Sequence, residues 1–214
     1  MKISFKVLFG VTLSFIFSSC LLDSDEDWSA TSVCPVSKRG TFTDERDGQV
    51  YKYTTIGKQV WMAENLNFKE NGSECFVDGD DCSGQNGRFY YLWQAFCPTG
   101  WHVPSKEEWE SLFKIMGGKN VAGLRLKSLS GWPSLNPEDN GNGTDDCGFN
   151  IEHMITKNRK DEYRARYLSS ANYDPNNIVY DKTWIAEFKS YQNNAELNDG
   201  FIKGESTNIR CIRD

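Results

Sequence analysis

The chain has 214 residues, with 24 Lys plus Arg against 30 Asp plus Glu, seven cysteines and two histidines. That length suits one domain, or one domain with a tail, and charged residues at 25% with apolar residues at 38% exclude a disordered chain and a polytopic membrane protein. A formal charge of −6 argues against nucleic acid as a partner, which needs a basic face.

The first predicted element is a targeting segment. Lys2 and Lys6 precede an apolar run from Val7 to Phe17. The run is too short for the roughly 20 residues of a membrane-spanning helix, and it suits a secretory signal over residues 1–19. Phe17-Ser18-Ser19-Cys20 resembles a bacterial lipobox, although Phe17 stands where Leu is usual. The resemblance implies cleavage before Cys20 and diacylglycerol attachment to it, and so an extracytoplasmic protein held at the bacterial outer membrane or cell surface. Cleavage removes two lysines and no carboxylate, taking the formal charge from −6 to −8. Residues 20–40 begin acidic and without periodicity, and read as a solvated tether.

Beyond the tether, Gln49 to Ile56 and Gln59 to Ala63 read as two strands. Gly57-Lys58 joins them as a hairpin with a type II′ turn. Residues 70–87 read as a loop rich in Gly, Asp and Ser. Arg88 to Phe96 is predicted helical from the spacing of Phe89, Leu92, Trp93 and Phe96, stopped by Pro98 and Gly100. Ser105 and Glu108 make a capping box for a second helix, with Trp109, Leu112, Phe113 and Met116 on one stripe and Gly117-Gly118 at its end. Residues 119–150 read as loop, broken by Gly131, Pro133, Pro137, Gly141, Gly143 and Gly148. Trp184, Ala186 and Phe188 share one face of a later strand, with Glu187 and Lys189 on the other. Asn208 to Arg213 is predicted to be the last strand.

An exported chain meets an oxidising compartment, so Cys34, Cys75, Cys82, Cys97, Cys147 and Cys211 are expected to pair, with 15 formal connectivities. The turn-rich segment between Cys75 and Cys82 favours a local bridge. Joining Cys97 to Cys211 would close a long loop, worth about 4–5 kcal/mol in the chain-entropy model. Cys34 and Cys147 then remain by elimination. The spacing is wrong for a zinc site.

Five ordered blocks carry a family resemblance: TFTDERDGQVYKYTTIGKQVWMAENLNF (41–68), GRFYYLWQAFCPTGWHVPSKEEWESLFKIMGG (87–118), LKSLSGW (126–132), NGNGTDDCGFN (140–150) and IRCIRD (209–214). Over residues 41–214 the chain resembles the Fibrobacter succinogenes major paralogous domain, a family of exported bacterial proteins. Cys147 stands where that pattern usually has an aromatic residue, and Tyr167-Leu168 where it often has two tryptophans. The family is similar to C-type lectin-like and formylglycine-enzyme-like folds. That likeness implies an α+β fold with two helices, a small irregular antiparallel sheet, long loops and a disulfide from the first helix to the last strand, at Cys97 and Cys211. A hairpin, two helices and late strands independently read as α+β.

For chemistry, Asp139, Asp145 and Asp146, with Asn140 and Asn142, offer hard oxygen ligands for Ca2+, or else stabilise a solvated turn. The chain has Asn136-Pro137-Glu138 and Leu197-Asn198-Asp199 where calcium-dependent lectins of this fold carry their motifs. His102 and His153 lack a partnered nucleophile, and Glu107 and Glu108 point to different sides of a helix, so no enzyme is expected. Formylglycine-type oxidases need an active cysteine pair and copper, which leaves that class last. Trp61, Trp93, Trp101 and Trp109 are expected in the core, whereas Trp132, Tyr163, Tyr173, Tyr180 and Tyr191 are candidates for stacking on a sugar. The lipobox resemblance and the likeness to lectin-like folds together imply a non-catalytic, lipid-anchored envelope protein binding a polysaccharide or a surface protein through residues 119–200. The alternative is a structural or adhesion domain without a small ligand.

Overall fold

The computed structural model describes residues 28–75, 82, 87–94, 96–134, 140–154, 163–170, 182–202 and 204–214. The signal segment, Cys20, Asp139, Tyr173 and Tyr180 lie outside the described residues. In chain order the elements are α1 (Ala30–Val33), a 3-10 turn (Val36–Lys38), β1 (Gly40–Thr43), β2 (Val50–Ile56), β3 (Gln59–Met62) and β4 (Tyr90–Tyr91). A second 3-10 turn (Leu92–Gln94), β5 (Trp101–His102), α2 (Lys106–Ile115) and α3 (Lys119–Leu126) follow. The last are β6 (Arg164–Leu168), β7 (Lys182–Lys189), β8 (Ala195–Ile202), β9 (Ser206–Thr207) and β10 (Ile212–Arg213). The chain is α+β, with antiparallel sheets ordered β1-β2-β3-β10-β5, β4-β9 and β6-β7-β8.

The β2–β3 hairpin forms where the alternating pattern meets Gly57. Ile56 pairs with Gln59, and Gly57 takes φ +60°, which an L side chain resists. Tyr51, Thr54 and Ile56 bury their side chains. The C-terminus then enters the same sheet, with Ile212 paired to both Trp61 and His102. This final strand is shorter than the predicted Asn208–Arg213. Cys211 is bonded to Cys97 just before it, Cys34 to Cys147 and Cys75 to Cys82.

The capping box of α2 forms in full. Glu108 N donates to Ser105 Oγ at 3.2 Å, and Ser105 N donates to the Glu108 carboxylate at 2.7 Å. Trp109, Leu112, Phe113 and Met116 are buried along one stripe. Gly117 (φ +92°) and Gly118 (φ +96°) end the helix in a Schellman motif, with Gly118 N donating to Phe113 O and Gly117 N to Lys114 O.

Two expectations fail here. Arg88–Phe96 is not an α-helix: Phe89 bridges Glu74, Tyr90 pairs with Thr207, and only the short 3-10 turn follows. Pairing with distant strand residues overrides a spacing that fits a helix. The disulfide at Cys97 therefore follows a turn and not a helix. Residues 119–126, expected as loop, form α3. Gly123 weakens its local signal, but a Cβ there would lie 2.2 Å from Asn194 O, so the helix needs glycine to approach the β7–β8 turn.

The main core gathers Trp61, Trp109, Phe149, Tyr167 and Phe188, with Trp109 within 4.8–6.4 Å of the other four rings. A second cluster around Met62, Leu66, Tyr90 and Ile209 lies against the terminal disulfide. No helix among the described residues is long and apolar enough to cross a membrane.

Candidate functional site

The residues singled out from the sequence do not converge. Trp132 is buried in the core and its indole N–H donates to Ile151 O at 2.9 Å, so it is not a stacking platform. Its neighbour Lys127 is also buried, with its ammonium held by the carbonyls of Gly141, Lys189, Ser190 and Gln192. Tyr163 is half-buried beside β6, and Tyr191 is 49% exposed at the β7–β8 turn. Trp93, expected inside, is 55% exposed and stacks on Tyr91 at 4.7 Å.

The described carboxylates of the acidic loop, Asp145 and Asp146, are committed to local structure. Asp145 takes φ +41° and its carboxylate accepts from Asn150 N at 2.7 Å. Burial pushes the Asp145 carboxyl above the usual carboxylate range, against the pull of the Asn150 N–H and Arg39. Asp146 faces Arg125 at 3.8 Å. Among the described residues no group of three or more His, Cys, Asp or Glu side chains is placed to hold a metal ion.

Two clefts remain. The first, about 450 Å³, is polar and includes Gln49, Glu64, Asn65, Asn150 and Arg210. Its groups are largely spent on each other. The buried Arg210 guanidinium donates to Asn65 Oδ1 and to the carbonyls of Phe149 and Asn150, and Glu64 accepts from Lys52 N. Burial raises the Tyr51 phenol on its wall to about 12, keeping it neutral.

The second cleft is a groove of about 640 Å³ between the α2–α3 corner and β8, within the size range of ligand pockets. Trp184 lies on it, and the fold explains why. Trp184, Ala186 and Phe188 share the β7 face turned toward α2, where Phe188 meets Phe113 edge-on at 5.9 Å. Because α2 begins at Lys106, the helix covers Phe188 and Ala186 fully but leaves Trp184 half-buried. The Lys106 ammonium rests 4.3 Å from the Trp184 ring centroid, a cation–π contact that positions the indole at the groove wall. The indole is thus left half-buried at the groove wall, with the Lys106 ammonium over its ring.

The far face of the same sheet is closed by charge. Glu187, on the strand face opposite Trp184 as its alternation predicts, is 5% exposed and meets Arg166 Nε at 2.9 Å, Arg164 at 3.1 Å and Lys189 at 3.2 Å. Lys189 also pairs with Glu196 at 2.7 Å, and Asn198 donates to Glu187. This network engages the β8 side chains, so the free polar groups of the groove come from the helices.

The architecture is therefore a disulfide-linked α+β domain with one partly uncovered aromatic beside a groove. The chain belongs to the Fibrobacter succinogenes major domain family, whose model matches residues 54–213. No curated protein and no solved structure matches the chain.

Proposed function

We propose that this chain is a non-catalytic, lipid-anchored domain of the bacterial cell envelope that binds a saccharide on Trp184. The half-buried indole carries the proposal: sugars present C–H faces that pack on an aromatic ring, and the surrounding groove is large enough for a short saccharide. The fold is read as C-type lectin-like, supported by a terminal strand paired into the first sheet and bridged through Cys97–Cys211. Anchoring at Cys20 rests on the lipobox-like segment. Three disulfides support an extracytoplasmic site at the outer membrane or cell surface.

Affinity electrophoresis of the full chain in detergent, through gels containing dissolved polysaccharides, tests the site. At least one polysaccharide is expected to retard the chain, and Trp184→Ala to abolish the effect. Trp93→Ala removes an indole that is 55% exposed outside the groove and is expected to leave retention intact. Equal retardation of the Trp184→Ala and unsubstituted chains would remove the groove from consideration. No retardation by any polysaccharide would favour a structural or adhesion domain. Retention is expected to survive EDTA, since the carboxylates of Asp145 and Asp146 are occupied by Asn150 and Arg125. For the anchor, Cys20→Ala is expected to move the protein from the membrane to the soluble fraction, and unchanged membrane association would contradict it.

A further inference from the structure

The charge around the groove is unevenly balanced. Glu110 is paired with Lys106 at 3.3 Å, and Glu196 with Lys189 at 2.7 Å. The groove's remaining cations, Lys114 near the end of α2 and Lys119 at the start of α3, are exposed and have no ion-pair partner among the described residues. With Lys106 engaged by Glu110 and the Trp184 ring, two unpaired ammonium groups border a groove whose carboxylates are already engaged. The chain as a whole carries a formal charge of −6. Its overall field therefore repels polyanions, and an anionic ligand gains only where cations stand unpaired.

We infer that the Trp184 groove takes an anionic saccharide, one whose sugar rings carry carboxylates, as in a polyuronate. The inference rests on the saccharide reading above and adds charge to it. A uronate offers both features the groove matches: a C–H face for the indole, and a carboxylate for the lysines at its rim. Trp184 supplies contact that tolerates different sugars, while Lys114 and Lys119 discriminate charged rings from neutral ones. Neither lysine is packed in the core or holds the fold, so substituting them leaves the domain folded.

Polygalacturonate and its highly methyl-esterified form share one backbone and differ in charge, which separates the two claims. The full chain in detergent is expected to bind polygalacturonate, with affinity falling as salt rises and about tenfold weaker, or more, for the esterified polymer. The double variant Lys114→Gln/Lys119→Gln is expected to lose that preference while keeping its melting temperature. Alginate serves as a second polyuronate, and dextran sulfate tests whether any polyanion suffices. Binding the esterified and free-acid polymers equally overturns the anionic preference but leaves saccharide binding standing. Failure to bind either polyuronate overturns it too, whatever neutral polysaccharides do. Binding dextran sulfate as tightly as polygalacturonate, with Trp184→Ala unaffected, reduces the groove to a nonspecific charge patch.

Discussion

His102 and Asp214 are hydrogen-bonded across 112 residues of chain, with Nδ1 2.6 Å from the Asp214 carboxylate, while the Nε2 side of the same ring meets Glu108 at 3.0 Å. One imidazole thus joins the end of β10 to the first turn of α2. Burial opposes the charged ring, but hydrogen bonds to Asp214 and Glu108 outweigh it and hold the His102 pKa above its ordinary value. A raised folded-state pKa contributes stability that is fully present below the unfolded value, about 6.5, and is lost as pH rises through the folded value. The melting temperature is therefore expected to fall from slightly acid to alkaline pH, and His102→Gln to flatten that slope. The pair is partly exposed, so the effect should stay below about 1 kcal/mol. An unchanged slope in the variant would remove His102 as its cause.

Glu187 should behave oppositely. Burial favours its neutral form, but Arg166 and Lys189 overcome that and hold its carboxyl below the ordinary value. Its contribution is present above the unfolded pKa and lost as pH falls through the folded one. Glu187→Gln leaves Arg164, Arg166 and Lys189 facing one another without their shared anion. A loss of about 2–4 kcal/mol is expected in denaturant unfolding at neutral pH, smaller at acid pH. A loss below about 0.5 kcal/mol would mean that the cluster relaxes into solvent.

How much of this was legible follows from how local each cause is. Ser105 and Glu108 lie three residues apart, so the capping box and α2 could be read directly. Gly57-Lys58 likewise marked its hairpin. Phe89, Leu92, Trp93 and Phe96 fit helical spacing as well as they fit a strand and a turn, and the choice was made by Glu74 and Thr207, far away in sequence. Gly123 hid α3 because its reason is a distant carbonyl. Trp184 was visible as a strand residue sharing a face with Ala186 and Phe188. Its exposure depends on where α2 begins, which no pattern around residue 184 encodes. Trp132 misled for the same reason, since a loop segment folded its indole onto Ile151 O.

The Gly123 contact makes a direct test of how the groove is assembled. Alanine in a helix interior is favoured over glycine by about 1 kcal/mol, so propensity alone predicts that Gly123→Ala stabilises. The structure predicts the reverse, because the new methyl would meet backbone atoms of Asn193 and Asn194 at 2.2–2.8 Å and not a flexible side chain. A net loss of about 1–3 kcal/mol is expected in chemical unfolding. Leu124 N also donates to Asn193 O at 2.9 Å, so the displaced turn should show faster amide exchange at Leu124. A stabilised variant with protected Leu124 would show that α3 and the turn do not touch as described.

The three bridges differ in how much chain each closes, which sets an order of cost. Cys34–Cys147 and Cys97–Cys211 span 113 and 114 residues, whereas Cys75–Cys82 spans only 7. In the chain-entropy model each long closure contributes about 4–5 kcal/mol and the short one about 2 kcal/mol. Cys97–Cys211 should matter most in practice, because its loss also frees Ile212, the residue that joins β3 to β5. Replacing each pair by alanine should lower the melting temperature least for residues 75 and 82 and most for 97 and 211. Peptide mapping after alkylation without reductant should find all six cysteines unlabelled. Labelling at Cys34 and Cys147 alone would mean that this bridge does not form and that α1 is held without it, by Gly57 N donating to Val33 O at 2.8 Å and the Trp28 indole donating to Ile115 O at 2.8 Å.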